Sequence, residues 1–461
     1  VSGITGEKHG RRGLRALAAV VVSALASCAL LAGASPASAI PLPQADSFYT
    51  APEGFESRAP GDVLRAREVR LAVLTALPLN VRSWQLLYRT TDLFGQPAAA
   101  VTTVLLPAGA DPNRSRPLVS LQFYYDSASP DCSPSFVLRQ GAGLPGLEGI
   151  HSQSELIAIA ALLSQGWAVS VPDYEGLEGH LAVAEEPGYL TLDGIRAAER
   201  FEPLGLDGAN TPVALWGYSG GGMGSGWAAE MEPTYAPELN VKGVALGAPT
   251  SDVVSLLHVN GSMFSSLIGI GISSLRKAYP KFRAASDRYL TAEGRALMDR
   301  TAAQCLPRNA LTQMFVDYQR MLTIPIAEFL AVPEIAEVFE ATVLGRTIPT
   351  APIFLYHGVF DEAVPIWTSE RLVRQYCAGG ASVLFERDHF SEHLTLPSLG
   401  MARTFEWLRE RLAPEAPDQI GCRTEDVVSM LADADALLTQ LEINLNATFG
   451  ALGFPIGPHE R

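Results

Sequence analysis

Residues 214–227 read ALWGYSGGGMGSGW and set Ser219 among six glycines between positions 217 and 226. A serine hydroxyl is a weak nucleophile that attacks a carbonyl only when a neighbouring base takes its proton. Gly217-Tyr218-Ser219-Gly220-Gly221 matches G-x-S-x-G, a sharp turn that carries a nucleophilic serine from the end of a strand to the start of a helix. The context fits, because a short hydrophobic strand precedes the motif and a helical stretch follows it. In such a turn Ser219 is expected in a strained backbone conformation, with Oγ exposed at the carboxyl edge of the strand. Gly217 and Gly221 serve that geometry, and Gly222, Gly224 and Gly226 would let the helix approach the sheet. The competing readings are a strand–helix turn without chemistry and a phosphate loop. No lysine follows the glycines, which disfavours the latter.

In chain order the partners of such a serine come as acid, then histidine. Downstream lie His258, His357, His389, His393 and His459. His357 and Asp361 share the stretch HGVFDEAVP, residues 357–365, read as the loop after a strand. Asp361 there is well placed to orient an imidazole. Glu362 competes with it, and a plain helix N-cap is the bland alternative. The base is expected between the last strand and the last helix, in DHFSEHL, residues 388–394. That loop holds both His389 and His393, and residue chemistry does not choose between them.

These groups need a scaffold. Strands are expected at 84–90, 98–106, 117–124, 167–171, 213–217, 241–247, 352–356 and 382–386. Helices are expected at 154–164, 191–201, after 221, 365–376 and 399–412. Strands alternating with helices make a mostly parallel sheet covered on both faces. Residues 40–65 are Pro-rich and read as irregular. From Asp252 to about Thr347 the pattern is helical without a convincing strand, and it includes the apolar run MFSSLIGIGI, residues 263–272. A cap over the strand ends fits that break. After Cys422 one more helix is expected, packing through Val427, Leu431, Ala434, Leu438, Leu441 and Leu445.

The 461 residues are 48% hydrophobic and carry a net charge of −15, without a basic stripe. Such a chain is globular and a poor partner for nucleic acid. Lys8, Arg11, Arg12 and Arg15 precede an apolar run from Ala16 to Gly33, and Ala37-Ser38-Ala39 follows. That is the pattern of an export signal cleaved after Ala39. Leu25-Ala26-Ser27-Cys28 is a weaker lipoprotein signal, because apolar residues continue past Cys28. No later run approaches the roughly 18 apolar residues of a membrane helix, so the mature chain is expected to be secreted. Beyond the signal four cysteines remain: Cys132, Cys305, Cys377 and Cys422. An even count outside the cell suggests two disulfides, for which three pairings exist. No metal-ligand spacing appears, and neither metal nor cofactor is expected.

The chain resembles the secretory lipases of bacteria and fungi, of the fungal lipase A type, from about Asp46 to Cys422. The matching stretches are SFYTAPEG (47–54), LLYRTTDLFGQPAAAVTTVLLP (86–107), YYDSASPDCSPSF (124–136), VPDYEGLEG (171–179), GYSGGG (217–222), HGVFDEAVP (357–365) and SEHLT (391–395). The resemblance implies an α/β-hydrolase fold with a helical lid. It assigns the acid to Asp361. It assigns the base to His393, because the family pattern of EH, an aromatic-rich helix and a closing cysteine continues through Phe405, Trp407 and Cys422. It implies oxyanion donors at the backbone N–H groups of Asp126 and Gly220, and disulfides Cys132–Cys305 and Cys377–Cys422. The expected organisation is a signal at 1–39, a hydrolase core at 40–250 and 348–422, a lid at 251–347 and a helical extension at 423–461, the last without a counterpart in the family pattern. The expected activity is triacylglycerol hydrolysis on a lipid ester, and whether the ester is met at an oil–water interface is left open. The rivals are a steryl or polyester esterase, a serine peptidase on the same fold, and a non-catalytic binding protein.

Overall fold

The computed structural model describes residues 39–111, 113–143 and 153–458. The expected export signal up to Ser38, with Cys28, lies outside the described residues, as does His459. From Pro41 onward the chain forms one unit.

Among the described residues a ten-stranded sheet runs in the order β1-β4-β5-β7-β6-β8-β9-β10-β11-β12. Its strands are β1 (Val63–Glu68), β4 (Val81–Thr91), β5 (Pro97–Pro107), β6 (Leu118–Gln122), β7 (Ala168–Pro172), β8 (Val213–Tyr218), β9 (Val241–Gly247), β10 (Ile353–Gly358), β11 (Val383–Asp388) and β12 (Cys422–Val427). The short pair β2 (Ala72–Val73) and β3 (Leu77–Pro78) stands apart. From β7 to β12 every pairing is parallel, while β1, β4 and β5 add an antiparallel edge. Strands β6, β7 and β8 are buried along their whole length. Both faces are covered, so their sequences run apolar rather than alternating. The β4–β5 hairpin turns where Asp92 Oδ1 accepts the N–H groups of Phe94 and Gln96, both at 2.8 Å.

Helices α1 (Leu156–Ser164), α2 (Glu186–Arg200) and α3 (Gly220–Tyr235) belong to the first half of the sheet. Between β9 and β10 come α4 (Ser266–Ala278), α5 (Pro280–Tyr289), α6 (Ala292–Ala302), α7 (Leu306–Thr312), α8 (Ile326–Leu330) and α9 (Pro333–Ala341). Then follow α10 (Trp367–Ala378), α11 (Met401–Arg411) and α12 (Ala434–Ala451). Helices α2, α3 and α10 share one face of the sheet, and α1 and α11 the other, with α12 lying against α1 and α11. No described helix is long and apolar enough to cross a membrane.

The cap helices enclose an apolar cluster of their own, with Val259, Ile268, Leu290, Met298 and Tyr318. Helix α4 fastens the cap to the core. Lys277 Nζ donates to Ala128 O at 2.9 Å and Ser274 Oγ donates to Leu181 O at 2.7 Å. The disulfide Cys132–Cys305 adds a covalent tie, and Cys377–Cys422 joins the end of α10 to the start of β12.

Several elements differ from the sequence reading. Strand β1 begins at Val63, within the last residues of the stretch read as irregular, and α2 begins five residues before the expected 191. The segment after Cys422 opens with strand β12, not a helix. Its sequence, CRTEDV, has no apolar pattern because it is an edge strand and largely exposed. Pairing with β11 and the disulfide at Cys422 make it a strand. The expected packing face of the last helix is also wrong. Helix α12 starts only at Ala434, capped by Asp433, which accepts the Ala436 N–H at 2.8 Å. It packs through Ala436, Thr439, Ile443 and Gly450, whereas Leu438, Leu441 and Leu445 point to solvent. Small residues let the helix approach closely, and a 2.7 Å hydrogen bond from Thr439 to Glu406 Oε1 fixes its rotation.

Candidate active site

Ser219 ends β8 and precedes α3 with φ 53° and ψ −118°. A residue with a side chain seldom adopts a positive φ, and such strain gathers at functional turns. The turn is possible because its neighbours lack side chains. A β-carbon at Gly217 would lie 2.1 Å from Gly221 O, and one at Gly221 would lie 2.0 Å from Gln122 O. Gly222 faces Gly247 O and Pro249 across the sheet edge. Gly224 and Gly226 instead make room for the Tyr174 ring and the Leu344 side chain, so their service is to a loop and to the cap's return, not to the sheet.

The fold brings Ser219 to a histidine 174 residues away: Ser219 Oγ and His393 Nε2 are 3.0 Å apart. His393 Nδ1 lies 2.6 Å from Asp361 Oδ2. A carboxylate can only accept, so the proton sits on Nδ1 and leaves the Nε2 lone pair for the hydroxyl. Burial pushes the His393 pKa down. The charge and hydrogen bond of Asp361, with Glu362 and Asp126 nearby, outweigh it and hold the imidazole above its ordinary value. Burial pushes Asp361 up, but His393 and His357 overcome this and keep its carboxyl well below the usual range. Asp361 also shapes its own loop, because Oδ1 accepts the N–H groups of Ala363 at 3.0 Å and Val364 at 2.7 Å.

The two alternatives left by the residues stand in different positions. His389 is exposed and pairs with Asp426 at 2.8 Å, away from Ser219. The Glu362 carboxylate pairs with no imidazole nitrogen; its Oε2 accepts the backbone N–H of His393 at 3.0 Å, and the Glu362 carbonyl lies 3.2 Å from His258 Nε2.

Three contacts were missed in the sequence. Tyr218, read only as part of the turn, donates its hydroxyl to His393 O at 2.8 Å, with the rings 5.2 Å apart. Glu362 holds the histidine backbone. His357 is on β10 itself rather than in the loop, fully buried, beside Asp361. The spacing H-x-x-x-D within one stretch was the available hint to the last.

Ser219 is not exposed, contrary to the expectation. Only 7% of it is accessible, and Leu256, Leu267 and Gly271 from the segment after β9 stand beside it. It opens into a cavity of about 30 Å³ that Asp126, Gly220, Leu256, Leu267 and Gly271 help to line. Gly220 is the first residue of α3, so its N–H has no partner within the helix. Asp126 is buried with Oδ1 lacking a hydrogen-bond partner among the described residues, and burial pushes its carboxyl up to about 6 against the charge of His393. Leu256, Leu267 and Gly271 also line a second cavity. That one shares Leu257, Ile268, Ile272 and Phe339 with a third, deeper in the cap. The succession leads from the hydroxyl into apolar surroundings.

The secretory lipase family profile matches residues 143–419. The chain is 40% identical over 373 residues to a Mycobacterium tuberculosis protein named "Probable inactive lipase", spanning 81% of this chain and 83% of that one. It is 33% identical over 428 residues to lipase A of Arthroderma benhamiae, spanning 91% and 90%. The structure of Candida antarctica lipase A in its closed state is similar at TM-score 0.79 and 28% identity, covering 92% of this chain and 100% of that one.

Proposed function

The chain belongs to the secretory lipase family, and from that premise we propose that it is an exported carboxylic-ester hydrolase acting chiefly on triacylglycerols. The carrying observation is the unbroken chain from Ser219 Oγ through His393 to Asp361, at 3.0 and 2.6 Å. In this reading His393 Nε2 takes the hydroxyl proton as Ser219 Oγ attacks the ester carbonyl. Asp361 keeps the imidazole in the productive tautomer and stabilises the imidazolium that forms. The backbone N–H groups of Asp126 and Gly220 receive the oxyanion, each donor contributing about 3–4 kcal/mol. The imidazolium gives its proton to the leaving alcohol, and a water activated by the same nitrogen then releases the acyl group and restores Ser219.

The apolar cavities support a lipid substrate, since each buried methylene contributes about 0.8 kcal/mol. The space at Ser219 holds about two waters. An acyl chain therefore requires the cap, residues 251–347 in this reading, to part from the turn. Export with cleavage after Ala39 completes the proposal, and N-terminal sequencing of the secreted protein checks it.

The test is hydrolysis of p-nitrophenyl esters of rising chain length and of emulsified triacylglycerol, comparing wild type with Ser219→Ala. A loss of about 10⁴-fold or more is expected. Full activity in the variant would overturn the proposal. The relative named as inactive motivates a second reading, a binding protein on a hydrolase scaffold. A fluorophosphonate probe separates the two: it labels Ser219 in a hydrolase and leaves a binding protein unmodified.

A further inference from the structure

A second imidazole stands behind the carboxylate that holds His393. His357 Nδ1 lies 2.8 Å from Ser369 Oγ on α10. Its Nε2 lies 2.9 Å from Val364 O and 3.3 Å from Asp361 Oδ2. A carbonyl and a carboxylate only accept, so both contacts call for a proton on Nε2. One shared proton serves them, and the Ser369 hydroxyl then donates to the bare Nδ1. The neutral Nε2–H tautomer satisfies every partner of this fully buried ring. The same turn that Asp361 Oδ1 grips through two backbone N–H groups is thus held from beneath at the Val364 carbonyl.

We infer that His357 is a positioning residue for the proposed ester hydrolysis, setting the orientation and basicity of Asp361 through its shared Nε2–H. The hydrogen-bonded chain then runs Ser219–His393–Asp361–His357–Ser369. This inference rests on the triad reading above. The shared proton keeps Oδ2 aimed at His393. It also occupies part of the lone-pair density of Oδ2, so Asp361 stabilises the His393 imidazolium less than an uncontested carboxylate would. The other titratable groups facing this pair are Glu362 at the His393 backbone, His258 at the Glu362 carbonyl, Asp126 across the cavity and Tyr218 against the imidazole. None of them contacts His357 through a hydrogen bond, so its removal acts through Asp361.

Wild type, His357→Leu, His357→Gln and Ser369→Ala are compared on a soluble p-nitrophenyl ester, with Ser219→Ala as the control for the triad reading. Leucine removes the donor at similar volume, glutamine returns an amide N–H near the Nε2 position, and Ser369→Ala releases the tautomer. For His357→Leu, kcat is expected to fall about 30- to 100-fold with KM within about twofold, and the acid limb of kcat/KM to move up by about half a pH unit. Glutamine should recover about tenfold, and Ser369→Ala should lose about three- to tenfold. A folded leucine variant with unchanged kcat and unchanged acid limb would overturn the inference, as would a glutamine variant no better than leucine. Should the leucine variant not fold, Ser369→Ala decides: unchanged kcat and acid limb would overturn it. In all these cases an inactive Ser219→Ala leaves the triad reading standing, whereas a fully active one removes that reading instead.

Discussion

The carboxyl group of Asp126 closes over the α-carbon of Gly220: a β-carbon built there would lie 1.8 Å from Asp126 Oδ1. Asp126 itself is held at φ 35°, in the left-handed region. The two proposed oxyanion donors are therefore packed against each other. Gly220→Ala is expected to displace the Asp126 loop and lower kcat by about 10²-fold or more. Steady-state kinetics on a soluble ester check this, and a wild-type kcat would refute the coupling.

Buried carboxyls make stability fall as pH rises. Burial pushes Asp126 up to about 6 and Asp173 up to about 7, and Glu155 and Glu175 also rise. The folded protein keeps protons that the unfolded chain releases near pH 4, so this contribution is present below about pH 4 and lost as pH rises through about 6 to 7. The raised His393 acts in the same direction. Asp361, held low, opposes the trend only in strong acid. The Tm is expected to drop between pH 5 and pH 8, and Asp126→Asn should flatten the drop. Thermal unfolding across that interval decides, and a rising Tm would count against these assignments.

Only one histidine of the 388–394 loop should matter for turnover. His393→Ala is expected to lose about 10⁴-fold or more in kcat, and His389→Ala less than about threefold. His389 pairs with Asp426 at the surface, where solvent and salt screen such a contact. Kinetics of the two variants on one ester provide the check.

The disulfide Cys132–Cys305 closes a sequence separation of 173 residues and ties the loop after Asp126 to the cap. Replacing both cysteines by serine should cost about 2–5 kcal/mol, seen as a Tm lowered by several degrees. Non-reducing peptide mapping together with thermal unfolding tests this; an unchanged Tm would show that the packing of α4 holds the cap unaided.

Helix α12 offers a contrast between its two faces. Ile443 is buried, and Ile443→Ala should destabilise by about 2–5 kcal/mol. Leu441→Ser and Leu445→Ser, on the exposed side, should stay within about 0.5 kcal/mol. Denaturant titration of the three variants measures the difference.

What could be read from the chain by itself follows from local rules. A serine between glycines at the end of an apolar strand has few other uses, and residues that must lie close have no room for side chains. Continuous apolar runs such as VALWG mark strands covered on both faces. The acid could be sought just past a strand, and the base in one loop of seven residues. The edge strand β12 and the packing face of α12 were hidden, since exposed polar pairing and a helix seated on small residues carry no hydrophobic signature.

The tertiary structure decided whatever depends on partners distant in sequence. That the His393 ring, and not that of His389, stands at Ser219 across 174 residues is set by the fold. The holding roles of Tyr218, Glu362 and His357 exist only because β8, β10 and the loop after β11 end at the same edge of the sheet. The burial of Ser219 involves Leu256, Leu267 and Gly271, which come from the segment between β9 and β10. Hydrogen bonds and burial are set by distance in space, and spacing along the chain does not encode that distance once strands from separate halves pair side by side.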